Sequence, residues 1–172
     1  MTSAGVPDRT EAAEGYFTYI NQVAGNDICQ ILKAQLTETL ALLHGISDDQ
    51  SLHRYAADKW SIREVVSHLN DTERVFVSRA VWFARGLDSP LPKFDQDTAI
   101  SAAGADARSW SSHVEEFRAV RVATSAFFQN LPAEAWTRRG VANGKPFTVR
   151  ALAYISAGHV THHMKIVRER YL

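Results

Sequence analysis

The sequence lacks the features that mark several large classes of protein. It has one cysteine in 172 residues, which excludes an intramolecular disulfide and suits a reducing compartment. No apolar run approaches the roughly 18–20 residues that a membrane span needs, and the N-terminus lacks the basic start and apolar core of a signal peptide. Nineteen basic side chains balance nineteen acidic ones, so nothing indicates nucleic acid or a membrane as a partner. We therefore expect a soluble cytoplasmic protein.

The chain is long and apolar enough to form one folded domain. Hydrophobic residues make up 45% and charged residues 22%, both ordinary values for a globular protein. A chain of 172 residues can bury a substantial core. Residues 1–15 are small, polar and acidic, which predicts a flexible tail. We expect residues 16–172 to form a single domain.

Four segments carry apolar residues at the spacing of an amphipathic helix. These segments are residues 27–44, 61–85, 109–129 and 148–170. Asp27 is a plausible N-cap for the first helix, and Gly45 ends it. The second helix opens on SIRE, a capping box in which Ser61 is the cap and Glu64 lies three positions later. Local signals thus predict where these two helices begin.

Two long connections separate the predicted helices. Residues 87–108 contain two prolines and three aspartates in LDSPLPKFDQD, and a connection of this length usually crosses over the fold or covers a site. Residues 133–147 form a second long loop, with turn residues at Asn143 and Gly144. Almost no strand signal is present. The sequence therefore predicts an all-α fold, a four-helix bundle.

Two histidines lie four residues apart on the last predicted helix. His159 and His163 fall near the middle of the face that carries Leu152, Ile155 and Ile166. Their Cβ atoms should be about 5–6 Å apart, so both rings can reach one metal ion. The competing interpretation is a pair of hydrogen-bonded histidines without a ligand.

A third histidine, His68, leans inward from the second predicted helix. Burying an unpartnered imidazole costs free energy, so three such residues on inward positions need a reason. Neutral imidazole is the commonest metal-ligand side chain, and three nitrogens with an open position are typical of a catalytic zinc site. The same set also suits nickel or iron(II). The sequence does not show that the second and fourth helices are neighbours.

The remaining candidate residues carry weaker signals. His162 should point about 100° away from His163, toward a second-sphere or pocket position. Glu73 lies near the apolar stripe of its helix, where it either pairs with an arginine or acts as a general base. Asp71 is expected to be a solvated charge, and Cys29 to pack in the first helix. The other histidines, His44, His53 and His113, are expected at the surface.

Three segments resemble the DinB superfamily, most closely its DinB-like/YfiT-like branch. They are DKWSIREVVSHLNDTERVFVSRAVWFARG (58–86), LPKFDQD (91–97) and GKPFTVRALAYISAGHVTHHMKIVRERYL (144–172). The resemblance implies a four-helix bundle with a long crossover between helices two and three. It also implies a divalent metal held by His68, His159 and His163. Zinc or nickel is the first expectation for that metal, with iron and manganese as alternatives.

The resemblance also bears on function. Some relatives are thiol-dependent transferases or isomerases, and many members are homodimers. We therefore expect a homodimeric, metal-dependent transferase or hydrolase that acts on a small molecule, with a low-molecular-weight thiol as a possible cosubstrate. The alternative is a non-catalytic, metal-binding, stress-related dimer. An accessible site with open coordination positions favours the enzyme, and a closed site favours the alternative.

Overall fold

The computed structural model describes residues 4–172 and is dominated by four long helices. The helices are α1 (Phe17–Ile20), α2 (Ile28–His44), α3 (Asp48–Ser51), α4 (Ile62–Ala84), α5 (Gln96–Ala103), α6 (Trp110–Gln129) and α7 (Val149–Ile166), with a π-type turn at Val167–Tyr171. The strands are β1 (Arg139–Ala142) and β2 (Lys145–Thr148). The predicted bounds of α2, α4 and α6 agree with the structure to within about one residue. None of the helices in residues 4–172 has the length and hydropathy to cross a membrane.

The helices α2, α4, α6 and α7 form a four-helix bundle in which α4 packs between α6 and α7. Contacts between helix ends give their directions. Ser61, which caps α4, donates to Asp106 just before α6 at 2.5 Å. The Trp110 indole at the start of α6 donates to the carbonyl oxygen of Leu43, near the end of α2, at 3.1 Å. The starts of α4 and α6 therefore lie at the same end of the bundle, so these helices run parallel, and α2 runs opposite to both.

The long crossover follows from these directions. At the other end of the bundle, the Tyr154 hydroxyl on α7 donates to the carbonyl oxygen of Gly25, just before α2, at 3.0 Å. Helices α2 and α7 therefore run in one direction and α4 and α6 in the other. Because α4 and α6 are parallel neighbours, the chain must return along the bundle between them. The expected four-helix bundle with a crossover between its second and third helices is confirmed.

The segment 133–147 was predicted as a loop, but it contains a β-hairpin. Strands β1 and β2 are antiparallel, with Arg139 opposite Thr148 and Ala142 opposite Lys145. The predicted turn is correct, since Asn143 and Gly144 have φ angles of 52° and 67°, the left-handed conformation of a tight hairpin turn. Four-residue strands containing glycine and proline give little local strand signal. Packing against the bundle stabilises them instead.

Gly140 shows how closely the hairpin packs on α4. A Cβ atom at this position would lie 1.9 Å from the ring of Phe83. The hairpin also pairs with the crossover, because the Leu91 amide donates to the Val141 carbonyl at 2.9 Å and the Asn143 amide donates to Leu91 at 3.0 Å. The crossover is thus held near its start, at Leu91, and continues into α5.

The flexible tail predicted for residues 1–15 is wrong for the part that the structure describes, and residues 1–3 lie outside it. Glu11 is only 2% exposed, forms an ion pair with Arg150 and accepts from the Thr148 hydroxyl at 2.7 Å. Its carboxylate therefore lies at the N-terminus of α7, where the helix dipole favours negative charge. Ala12 bridges to Phe147 of the hairpin. Local composition did not reveal these partners, which are more than 130 residues away.

The first short helix also lies directly on α7. A Cβ atom at Gly158 would sit 2.1 Å from the carbonyl oxygen of Tyr19. Only glycine permits this approach of α1, which brings the Tyr19 ring beside the helix that carries His159. The N-terminal segment is therefore part of the surroundings of the predicted metal site.

Candidate metal centre

The start of α4 fixes the position of His68. Ser61 accepts from the Glu64 amide at 3.0 Å, and the Glu64 carboxylate accepts from the Ser61 amide at 2.8 Å, which completes the predicted capping box. His68 follows one turn later and is 2% exposed. The Trp60 ring packs against it, with centroids 4.9 Å apart. A local helix signal therefore sets the register of the first candidate ligand.

Helix α7 brings the other two histidines to the same point. His159 is 5% exposed, and its Nε2 lies 3.1 Å from the Nε2 of His68 and 3.1 Å from the Nε2 of His163. All three ligand atoms lie within 4.8 Å of one another. Because α4 and α7 are antiparallel neighbours, a residue early in α4 meets residues late in α7. The structure thus brings together all three histidines that the sequence singled out.

The surroundings of the three imidazoles keep them neutral. Burial lowers the pKa of His68 to about 4, although the charge of Asp97 acts in the opposite direction. Burial, together with the neighbouring His68 and His162, lowers the pKa of His163 to about 3. The pKa of His159 lies well below its usual value for the same reasons. Neutral imidazoles are the form that binds a metal ion.

The three nitrogens fit a metal ion better than they fit one another. The single in-plane lone pair of the His159 Nε2 cannot accept two linear hydrogen bonds, yet two ring nitrogens approach it at 3.1 Å. Three nitrogens at zinc-ligand distances in a tetrahedral site are about 3.4 Å apart, close to these separations. A divalent ion would satisfy all three lone pairs at once. His68, His159 and His163 therefore form a suitable set of ligands.

Thr72 determines which nitrogen of His159 carries the proton. The Thr72 hydroxyl donates to the carbonyl oxygen of His68 at 2.7 Å. Its oxygen then accepts from the Nδ1 of His159, 3.3 Å away. With the proton on Nδ1, the His159 Nε2 presents its lone pair to the cluster. A buried hydroxyl on α4 thus orients a ring on α7 for coordination.

A cavity of about 310 Å³ opens beside His159 and Thr72. Its walls come from α4, from Tyr16 and Tyr19 of the N-terminal segment, from Phe94 and Gln96 of the crossover, and from Asn143 and Lys145 of the hairpin. Aromatic rings also pack on His159 itself, because Tyr19 and Phe76 lie edge-on to it at 5.1 and 5.9 Å between centroids. The histidine cluster therefore borders a space large enough for a small molecule.

The weaker histidine predictions had mixed outcomes. His162 lies outside the cluster, with its ring 5.5 Å from Tyr19 and its Nδ1 3.5 Å from Gln22, as its position on the helix predicted. His44 and His53 are exposed. The surface position expected for His113 is wrong, because this residue is fully buried and its Nε2 lies 2.9 Å from the carbonyl oxygen of Ala105. Ala105 belongs to the crossover. The residue spacing along α6 does not show that the crossover packs against this helix.

The acidic candidates and the cysteine lie away from the cavity. Glu73 is 3% exposed and pairs with Arg121 at 2.7 Å, which is the first of its two predicted roles. Asp71 is partly exposed and lies 3.4 Å from Arg74. Cys29 is a free, half-buried thiol whose pKa is raised by burial. These residues supply no general base beside the histidines.

Sequence reasoning missed several residues at the site, among them Thr72, Arg79 and Tyr19. Thr72 and Arg79 line the cavity at four and eleven positions after His68, a spacing that returns to the same helix face. Polar residues that recur on an otherwise apolar helix face could have indicated that this face lines a site. The contribution of Tyr19 had no such signal, because it depends on the approach of α1 to Gly158.

The fold is a four-helix bundle with a long crossover, and two of its antiparallel helices bring three imidazoles together as a candidate ligand set. The chain belongs to the DinB superfamily, whose family model matches residues 31–167. Among solved structures it is similar to YfiT from Bacillus subtilis, with a TM-score of 0.67, 16% sequence identity, and coverage of 94% of this chain and 91% of that one. YfiT is described as a "probable metal-dependent hydrolase with an unusual four-helix bundle topology". A search of the curated proteins found no match.

Proposed function

We propose that this protein is a metal-dependent enzyme that acts on a small molecule, as a hydrolase or as a thiol-dependent transferase. His68, His159 and His163 would hold one divalent ion. The observation that carries the proposal is the convergence of three Nε2 atoms, from two buried histidines and one partly buried one, beside a cavity that His159 lines. The similarity to YfiT, which is described as metal-dependent, supports it.

The residues around the cluster have distinct tasks in this proposal. When bound, a divalent ion would lower the pKa of a coordinated water or thiol and so supply a nucleophile at neutral pH. Thr72 holds the proton on the Nδ1 of His159 and keeps that ring oriented. Trp60, Tyr19 and Phe76 pack around the rings and limit the access of water. The adjoining cavity provides the space in which a substrate binds.

The same cavity favours an enzyme over the alternative, a non-catalytic metal-binding stress protein. A structural site is closed by four protein ligands, whereas this cluster has three and lies beside a space of about 310 Å³. We propose zinc or nickel as the metal, because three imidazole nitrogens suit either ion. Iron and manganese are the alternatives.

Metal analysis of untagged protein tests the ligand set. After dialysis against zinc or nickel, the wild-type protein should retain about one ion per chain. His163→Ala removes one of three ligands and should lower the affinity by about 100-fold or more, as measured by competition with a chelator. His159→Ala should also lose the ion. Equal retention by wild type and His159→Ala would refute the assignment.

His162→Ala is the matched control because it removes the adjacent imidazole on the same helix. Its ring contacts Tyr19 and lies outside the cluster, so the stoichiometry should stay at one ion per chain. A His162→Ala protein without metal, beside a loaded His163→Ala protein, would show that the helix face is misassigned. Hydrolase and thiol-transferase assays with the metal restored then separate the enzyme from the non-catalytic alternative.

We further propose that the protein works as a cytoplasmic homodimer. Exposed apolar side chains on α4 and α6 support a dimer, since Val81 is 37% and Val122 is 48% exposed. Val81 lines a shallow groove between α4 and α6 whose walls are mainly apolar. Light scattering after size-exclusion chromatography should give twice the chain mass of 19.2 kDa. A monomer at micromolar concentration would contradict this.

A further inference from the structure

The lining of the cavity beside the candidate metal centre carries a net positive charge. Arg79 and Lys145 belong to its lining, and no aspartate or glutamate does. His159 borders this cavity, and a divalent ion held by the histidine cluster would add further positive charge. This distribution distinguishes the cavity from the rest of a chain with equal numbers of acidic and basic residues.

Arg79 is the unusual member of this pair. It is only 5% exposed, and burial lowers the pKa of its guanidinium. One of its nitrogens donates to the carbonyl oxygen of Pro92 at 3.1 Å, and the Tyr16 hydroxyl partly offsets the effect of burial on its pKa. No carboxylate in residues 4–172 forms an ion pair with it. A buried cation without an anion is costly, so its retention beside a cavity points to a ligand.

Lys145 provides a second cation at the mouth of the cavity. Its Nζ lies 5.9 Å from the centroid of the Tyr16 ring, and that ring packs edge-on against Phe147 at 4.9 Å. The hairpin strand β2 therefore fixes the stem of Lys145 beside the N-terminal segment. The ammonium group is exposed and can move toward a bound anion.

We propose that the cavity binds its small-molecule ligand through an anionic group of the carboxylate class, held by Arg79 and Lys145. The rest of the molecule would extend along α4 toward His159. This inference rests on the proposed function and names the substrate class of that site. The planar guanidinium matches the two oxygens of a carboxylate, which a single lysine does not.

The spacing along α4 limits the shape of the ligand. Thr72 and Arg79 lie seven residues apart on one helix face, which corresponds to about 10 Å along the helix axis. His159, bonded to Thr72, marks the reacting end, and Arg79 marks the other end. The ligand is therefore elongated, with its charged group distant from the group that reacts.

Paired probes that differ only in charge test this subsite. Zinc-loaded protein is titrated calorimetrically with 6-mercaptohexanoate and with the uncharged 6-mercaptohexanol. Metal-free protein is titrated with hexanoate and with hexanol. In both forms the wild type should prefer the acid by about tenfold or more, because hydrogen bonds between a buried guanidinium and a carboxylate are among the strongest in proteins. Arg79→Met should abolish the preference.

Three further variants show whether the effect is local. Lys145→Met should reduce the preference by only about two- to fivefold, since exposed charges contribute little. Arg79→Lys keeps a charge and should retain part of the preference for the acid. It replaces Arg79→Met in the test if Arg79→Met does not fold. Arg74→Met is the matched control on α4, because Arg74 pairs with Glu116 and does not line the cavity. It should bind the probes as the wild type does.

The outcomes for the subsite and for the metal are separable. Equal binding of acid and alcohol by the wild type, or a preference that survives in Arg79→Met, overturns the anionic subsite. If the wild type retains no zinc but still prefers hexanoate in an Arg79-dependent manner, the proposed function fails and the subsite stands. If it retains zinc and binds mercaptohexanol as tightly as the acid, the metal assignment stands and the subsite is refuted.

Discussion

Two buried polar clusters lie on α4, and they differ in whether an ion pair matches the charges of their members, although the Glu73 Oε1 and the Arg121 Nε have no hydrogen-bond partner within residues 4–172. In the first cluster, Glu73 pairs with Arg121 at 2.7 Å, and Arg121 donates to Gln35 at 2.7 Å. Gln35 in turn donates to the carbonyl oxygen of Ala157 at 2.8 Å, so the cluster joins all four bundle helices. In the histidine cluster, three lone pairs face one another. Burial of polar groups alone therefore does not indicate a ligand, whereas three converging lone pairs suit a metal ion.

The matched cluster should be the one on which stability depends most. Arg121→Met leaves the carboxylate of Glu73 buried without a partner, so the free energy of unfolding should fall by about 3–5 kcal/mol. Chemical denaturation of metal-free protein measures this loss. Replacing both members, with Glu73→Gln and Arg121→Met together, should recover part of it. A stability loss below about 1 kcal/mol for Arg121→Met would mean that the pair is not buried as described.

The histidine cluster should make the metal-free protein sensitive to acid. The pKa of His68 is about 4 and that of His163 about 3 in the folded protein, against 6.5 for the ordinary group. Between pH 6.5 and 4 the unfolded chain binds protons that the folded protein does not, so the free energy of unfolding falls as the pH falls. The part due to His68 approaches about 3 kcal/mol near pH 4.

Denaturant titrations at pH 7 and pH 4.5 measure this dependence. His68→Gln should flatten the fall in stability, because the variant has one buried imidazole fewer. His53→Gln, at an exposed position, should keep the wild-type dependence. If His68→Gln and the wild type lose the same stability between the two pH values, the histidine cluster does not cause the acid sensitivity.

Thr72 offers a finer test of the unmatched cluster. Thr72→Val keeps the shape of the side chain but removes the acceptor for the Nδ1 of His159. Metal affinity should fall by about 10–100-fold while the stoichiometry stays at one ion per chain. Thr124→Val, a buried threonine on α6 away from the histidines, is the matched control. A Thr72→Val protein with wild-type affinity would show that the hydroxyl does not orient the ring.

The smallest expected effect concerns the crossover. Phe94 lines the cavity, and Arg79 donates to Pro92 beside it, so a loaded site should restrain this segment. Trypsin should cut after the exposed Lys93 a few-fold more slowly in zinc-loaded than in metal-free protein. His159→Ala with zinc added should be cut at the metal-free rate. Identical rates in both forms of the wild type would mean that the crossover does not respond to the site.

The bundle and the three candidate ligands could be predicted because their signals are local. The capping box at Ser61 and Glu64 sets the register of α4, and the spacing of His159 and His163 places both on one helix face. The prediction that His68 binds the same metal ion as these two residues depended on the family resemblance. Spacing along one helix does not show which other helix packs against it. The structure supplies that neighbour through the antiparallel contact of α4 and α7.

The missed features depend on partners that are far apart in sequence. The sequence places Glu11 in a polar tail, but in the structure it pairs with Arg150. It places His113 at the surface, but in the structure the crossover covers this residue. Arg79 is an ordinary polar residue in the sequence of α4, and its isolation from carboxylates appears only in three dimensions. Predictions from local patterns therefore succeeded for helices and failed for the segments that pack across their ends.

The separate origins of the ligands and the cavity walls have a consequence for how such proteins diverge. The histidines lie on two long helices, whereas Tyr16, Phe94 and Lys145 come from the N-terminal segment, the crossover and the hairpin. Connecting segments tolerate insertion and replacement far better than packed helices do. Related bundles can therefore reshape much of the cavity wall by changing these segments, while the histidines on the packed helices stay in place.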